Sequence, residues 1–251
     1  ETDAKYITDV QEGKQKINAG VLFPHQLYQA IENGQNADAV EAQWNALPDY
    51  MADSTERIIP VCDVSGSMEG LPMDVSISLG IYISERNQGM FKDAFLTFSE
   101  EPEMNYLSGS LSQRMKQLQR ANWGYSTDLE ATFDLILNSA VRESLPESEM
   151  PTKLLIISDM EFNAADRNQT NLDSIRYKYS QAGYTMPQIV FWNVNGRMGN
   201  VPASAKDSGI GLVSGFSPSI LKSVLKGDIY SPEQLMLDTV DTARYSCIGT
   251  E

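Results

Sequence analysis

The apolar run Ile58-Ile-Pro-Val-Cys62 ends at Asp63-Val-Ser65-Gly-Ser67, which sets one acid and two hydroxyls at alternate positions. A second apolar run, Leu154-Leu-Ile-Ile157, ends in Ser158-Asp159. Between them, Trp123-Gly-Tyr-Ser-Thr127-Asp128 places a third hydroxyl, on Thr127, in a glycine-bearing loop leading into an amphipathic stretch. Asp63, Ser65, Ser67, Thr127 and Asp159 together offer oxygen alone. Such a set suits a hard cation, magnesium first with manganese or calcium as alternatives, over zinc or copper. Magnesium seeks six oxygens and keeps some of its waters. Surrounded by neutral hydroxyls it stays electron-poor and draws an acidic ligand from outside. Gly66 and Gly124 permit the sharp turns that such loops need.

These residues can meet only if strand ends gather along one edge, as they do at the carboxyl side of a parallel sheet. From Arg57 onward, apolar stretches of strand length alternate with helical patterns. That alternation predicts βαβ units and an α/β fold: a doubly wound, mostly parallel six-stranded sheet with helices on both faces. Strands are expected at Arg57–Asp63, Lys92–Ser99, Met104–Leu107 (a short edge strand), Lys153–Ser158, Gln188–Val194 and Gly209–Ser214. Helices are expected at Met73–Ser84, Leu111–Gln119, Thr127–Ser139, Leu172–Ala182, Pro218–Lys226 and Pro232–Arg244. Ser217-Pro218 and Ser231-Pro232 each fit a capping serine followed by proline in the first helical turn. Pro60 sits inside the first strand, where it removes a ladder donor, so a local irregularity is expected there. Earlier in the chain, Ile17, Val21, Leu22, Leu27, Ile31, Val40, Trp44 and Leu47 recur at helical spacing, broken by Gly20, Pro24, Gly34 and Pro48. Two or three short helices follow from that pattern. Residues 1–52 read as a helical extension and 53–251 as the α/β domain.

Asp63-x-Ser65-x-Ser67, a loop Thr127 and a strand-end Asp159 resemble the metal-ion-dependent adhesion site of von Willebrand factor A domains. The resemblance spans about residues 57 to 246, with all five positions in order. It implies the Rossmann-like fold of that family, direct metal coordination by Ser65, Ser67 and Thr127, and action of Asp63 and Asp159 mostly through water. It also implies a protein partner whose Glu or Asp completes the metal shell. A closer likeness lies in Asp63-Val-Ser-Gly-Ser-Met68, in Trp123-Gly with Thr127-Asp-Leu129 and Phe133-Asp-Leu-Ile-Leu137, and in Ser158-Asp-Met-Glu-Phe162. These segments resemble a family found in phages, giant viruses and plants and distantly similar to the Ro (TROVE) RNA-binding proteins. Ile17-Asn-Ala-Gly20 and Leu22-Phe-Pro-His25 resemble the helical segment preceding the A domain there. Ro-type proteins bind RNA mainly through a helical-repeat ring, and residues 1–52 have room for only a remnant of one, so RNA binding does not carry over.

Composition narrows the function classes. The chain has 251 residues and a net charge of −15, a field that repels phosphate backbones and favours divalent cations and basic partners. Nucleic-acid binding through this chain alone is therefore not expected. No apolar run is long enough to span a bilayer. The start, Glu1-Thr-Asp-Ala-Lys-Tyr6, lacks an initiator Met and the features of a signal peptide, which reads as a processed product or a piece of something longer. Two cysteines, Cys62 in a strand and Cys247 near the C-terminal end, make no disulfide framework. A reducing, cytoplasmic setting is expected, including a host cytoplasm or a virion.

Catalysis is not expected. His25 is the one histidine in the chain. After Pro24 it reads as a helix-start or packing residue, which leaves Ser- or Cys-based nucleophilic chemistry without a base. A haloacid-dehalogenase-type phosphatase needs a second Asp two residues after the first, and Ser65 stands there. Asp128 reads as an acid in the first turn of a helix, Glu161 as a loop carboxylate, and Trp123 and Tyr125 as rim or core aromatics. The expected function is a divalent-cation-dependent protein–protein interaction module. The alternatives are a Ro-like ribonucleoprotein component and a virus or phage structural protein using the fold for assembly.

Overall fold

The computed structural model describes residues 22–52, 54–122, 124, 128–159, 172–195 and 210–226. Among them, six strands form one sheet: β1 Ile58–Cys62, β2 Ala94–Thr97, β3 Met104–Tyr106, β4 Lys153–Ser158, β5 Gln188–Asn193 and β6 Ile210–Ser214. Their spatial order is β3-β2-β1-β4-β5-β6, with every pair parallel except β2 and β3. The chain runs outward from β1 in one direction, then returns to build β4, β5 and β6 on the other side. The point of reversal lies between β1 and β4, where a doubly wound sheet opens a crevice at its carboxyl edge.

Alternate residues of each strand face opposite cores, as a pleated strand requires. Ile58, Cys62, Leu155, Ile157, Val190 and Trp192 pack under helices α1 Pro24–Glu32, α2 Ala37–Asn45, α3 Leu71–Arg86, α4 Leu111–Gln119 and α7 Pro218–Lys226. Ile59, Val61, Leu154, Ile156, Ile189 and Phe191 pack under α5 Leu129–Arg142 and α6 Leu172–Gln181. The expected α/β sandwich with helices on both faces is thus the observed one. Burial on both faces explains why the central strands read as continuous apolar runs.

Local boundaries differ by a few residues, each for a visible reason. Helix α3 begins two residues before the expected Met73, because Gly70 at φ 87 reverses the chain and Pro72 suits the first turn. Helix α5 begins at Leu129, since the Asp128 carboxylate accepts a hydrogen bond from the Ala131 N–H at 2.9 Å and caps it. Strand β2 starts at Ala94, after a single 3-10 turn over Gly89–Phe91 and Asp93 at φ 61. Ser217 caps α7 as expected, accepting from the Ile220 N–H at 3.2 Å. The expected helix at Pro232–Arg244, and any element before Val21, lie outside the described residues.

Pro60 stays within the central strand, in register with Leu155 of β4. The ladder to β2 is formed only from Val61 onward. Ile58 directs its carbonyl to the same side as Pro60 and takes its hydrogen bond from Asn87 Nδ2 at 2.9 Å. The irregularity expected at the proline is not seen, since β1 keeps unbroken register with β4 from Ile58 to Cys62.

Candidate metal centre

Asp63 continues β1 past its last paired residue, its N–H donating to Ile157 O of β4 at 3.0 Å. The chain then turns. The Ser65 N–H donates to Asp63 Oδ1 at 2.9 Å, and a 3-10 turn over Gly66–Met68 follows, closed by Met68 N to Ser65 O. Met68 is fully buried and anchors the turn in the core. This brings the hydroxyls of Ser65 and Ser67 within 3.1 Å of each other on the exposed side of the loop.

Asp159 stands at the corresponding end of β4. The two acids are buried, Asp63 at 2% exposure and Asp159 at 1%. Ser158, at 1%, donates its Oγ proton to Asp63 Oδ2 at 2.7 Å. Burial pushes the Asp63 carboxyl above its usual range, the hydrogen bonds from Ser158 and Ser65 oppose that rise, and the charge of Asp159 adds to it. Asp159 has contacts of its own. Four of the five expected ligands, Asp63, Ser65, Ser67 and Asp159, therefore come together at the switch point of the sheet.

Thr127 lies outside the described residues, as do Trp123, Tyr125 and Glu161. The residues flanking Thr127 are fixed. Gly124 N–H donates to Phe98 O at 3.1 Å and Asp128 N–H to Ser99 O at 3.2 Å, just beyond the end of β2. A Cβ on Gly124 would meet Ser99 Cα at 2.9 Å, so this close approach requires glycine.

The donor set fits a hard cation. Two buried carboxylates close enough to repel each other are in the electrostatic position that a divalent ion relieves. Among the described residues, no group of three or more His, Cys, Asp and Glu side chains gathers that could hold a metal ion. His25 sits between Phe23 and Phe216, with ring centroids at 5.0 and 5.4 Å, and burial lowers its pKa. Cys62 is a buried free thiol whose pKa burial raises, and Cys247 lies outside the described residues. Ser158 is the contributor that the motif does not contain. Its one sequence signal is a hydroxyl immediately before a strand-end acid.

A family model described as "Domain of unknown function (DUF7788)" matches residues 57–245. The chain belongs to the DUF7788 family. This DUF7788 chain is 34% identical over 244 residues to "Uncharacterized protein L728" of Acanthamoeba polyphaga mimivirus, covering 94% of this chain and 43% of that protein. It thus spans less than half the length of that giant-virus relative. In structure it is similar to the RO (RSR) protein of Deinococcus radiodurans, with a TM-score of 0.51 and 16% identity over 76% of this chain and 37% of that one. At that identity the likeness concerns the fold. The expected likeness to Ro proteins is met in fold, and the expected likeness to a giant-virus protein is met in sequence. Among the described residues, no helix is long and apolar enough to cross a membrane.

Proposed function

We propose that this DUF7788 chain is a divalent-cation-dependent protein–protein interaction module. In this reading the hydroxyls of Ser65, Ser67 and Thr127 bind magnesium directly, and manganese or calcium can replace it. Asp63 and Asp159 hold the ion's waters, and an open position takes an acidic side chain from the partner. The reading places the protein in the cytoplasm and makes it non-enzymatic.

The observation that carries the proposal is the buried Asp63–Asp159 pair beside the two serine hydroxyls. Burying two carboxylates costs desolvation and mutual repulsion, and a chain keeps such a pair where a bound cation offsets both. Against a catalytic reading weighs the packing of the sole histidine between aromatic rings, which does not suit a general base.

The test is a pull-down from the native source in magnesium or in chelator, with Asp63→Ala as control. Partners retained only with magnesium, and lost in a folded Asp63→Ala, support the module. Bound proteins indifferent to the chelator defeat it. A second reading, a Ro-like ribonucleoprotein component, is favoured by the fold likeness to the RO protein. The net charge of −15 weighs against direct RNA contact by this chain. RNA that co-purifies and leaves steeply with salt would favour it.

A further inference from the structure

We infer that Ser158 is the positioning residue of the proposed cation site, acting through Asp63 and resting on the cation reading above. The two oxygens of the Asp63 carboxylate are held by different donors. Oδ1 accepts from the Ser65 N–H at 2.9 Å, within its own turn. Oδ2 accepts from Ser158 Oγ at 2.7 Å, across the β1–β4 boundary from a residue 95 positions away. A carboxylate gripped at both oxygens cannot rotate without losing a bond. Its remaining lone pairs are thereby aimed before any ion arrives.

The Ser158 contact has the length of a charge-assisted O–H···O bond, the stronger class of hydrogen bond. Both partners are buried, so water is poorly placed to replace the lost donor. Partners of this kind, which orient a ligand without touching the metal, typically account for 10–100-fold in metal affinity. Ser158 also couples the two halves of the site, because it closes β4 and Asp159 follows it directly in the chain. One hydroxyl thus sets the aim of the acid on β1 from the strand that carries the second acid.

The full chain is titrated with Mn2+ as wild type, Ser158→Ala and Ser158→Thr. The Kd for Mn2+ is expected to rise about 10–100-fold in Ser158→Ala and to return toward wild type in Ser158→Thr, which restores the hydroxyl. Metal-free thermal unfolding is then measured for wild type, Ser158→Ala, Asp63→Ala and the double variant. The loss of Tm on removing Ser158 is expected to shrink when Asp63 is already absent, because contacting residues do not act additively. Unchanged Mn2+ affinity in Ser158→Ala, or an equal loss of Tm in both backgrounds, would make Ser158 a packing residue and overturn the inference while leaving the cation reading intact. A wild type that binds no Mn2+ overturns the cation reading, and the role of Ser158 toward an ion falls with it.

Discussion

At the scale of the residue, Asp63 carries a carboxyl whose charged form is disfavoured by burial. Its carboxyl lies above its ordinary value of 3.8 because burial disfavours the charged form, with the hydrogen bonds from Ser158 and Ser65 subtracting and Asp159 adding. The folded state therefore binds this proton more tightly than the unfolded state. The favourable contribution of Asp63 to metal-free stability is complete below 3.8 and is lost as pH rises through the elevated value. Urea denaturation of metal-free protein across that interval should show the decline, and Asp63→Asn should flatten it. At neutral pH, Asp63→Asn is expected to raise the metal-free Tm, by about 2–4 °C for each kcal/mol relieved, and to abolish the upward shift that magnesium gives the wild type. Differential scanning fluorimetry with and without magnesium reads both effects. A variant that keeps the magnesium shift would remove Asp63 from the site. Much of this was legible beforehand: an acid after an apolar run, followed by alternating hydroxyls, marks a loop at a strand end. The grip of Ser158 on Asp63 was not, because it depends on β1 and β4 being neighbours.

At the scale of the element, the loop bearing Ser65 and Ser67 runs straight into α3, so the seating of that helix sets where the hydroxyls lie. Small residues bring α3 close to the sheet. Ser76 Oγ donates to Ile157 O at 3.4 Å, and a Cβ on Gly80 would lie 2.3 Å from Cys62 Sγ. Gly80→Val overpacks this contact and is expected to cost about 1–3 kcal/mol, read as a lower urea midpoint, with weaker Mn2+ binding as the helix lifts. Gly124→Ala tests the other loop. Its Cβ would lie 2.9 Å from the backbone Cα of Ser99 at the exit from β2, so the expected result is a lower metal-free urea midpoint together with weaker Mn2+ binding. The strands and helices themselves were readable from apolar periodicity. These two glycines were not, since a backbone's need for space is set by a residue on another element.

At the scale of the whole molecule, the helices before residue 52 share a continuous core with the sheet. Trp44 of α2 is 1% exposed, and its indole N–H donates to Glu85 Oε1 of α3. Glu85 is also ion-paired to Arg86 and to Arg114 of α4, so three helices meet at one carboxylate. Tyr28 OH accepts from Gln119 of α4, and Gln29 donates to Asp74 near the start of α3. Trp44→Ala is expected to cost about 3–5 kcal/mol, a fall in Tm on the order of 10 °C, measurable by calorimetry. The change of pattern near residue 52 was plain in the sequence, but the shared core was not, because helical spacing shows which face is apolar and not what covers it. The β1–β4 pairing, finally, governs when the site exists as well as where. Asp63 and Ser158 meet across 95 residues of chain. Closing so long a loop is slow compared with forming helices. A nascent chain that has emerged only as far as β3 displays the whole Asp63–Ser67 motif before β4 and Ser158 are there to hold it. In refolding from urea, cation capture should therefore lag the recovery of helical signal.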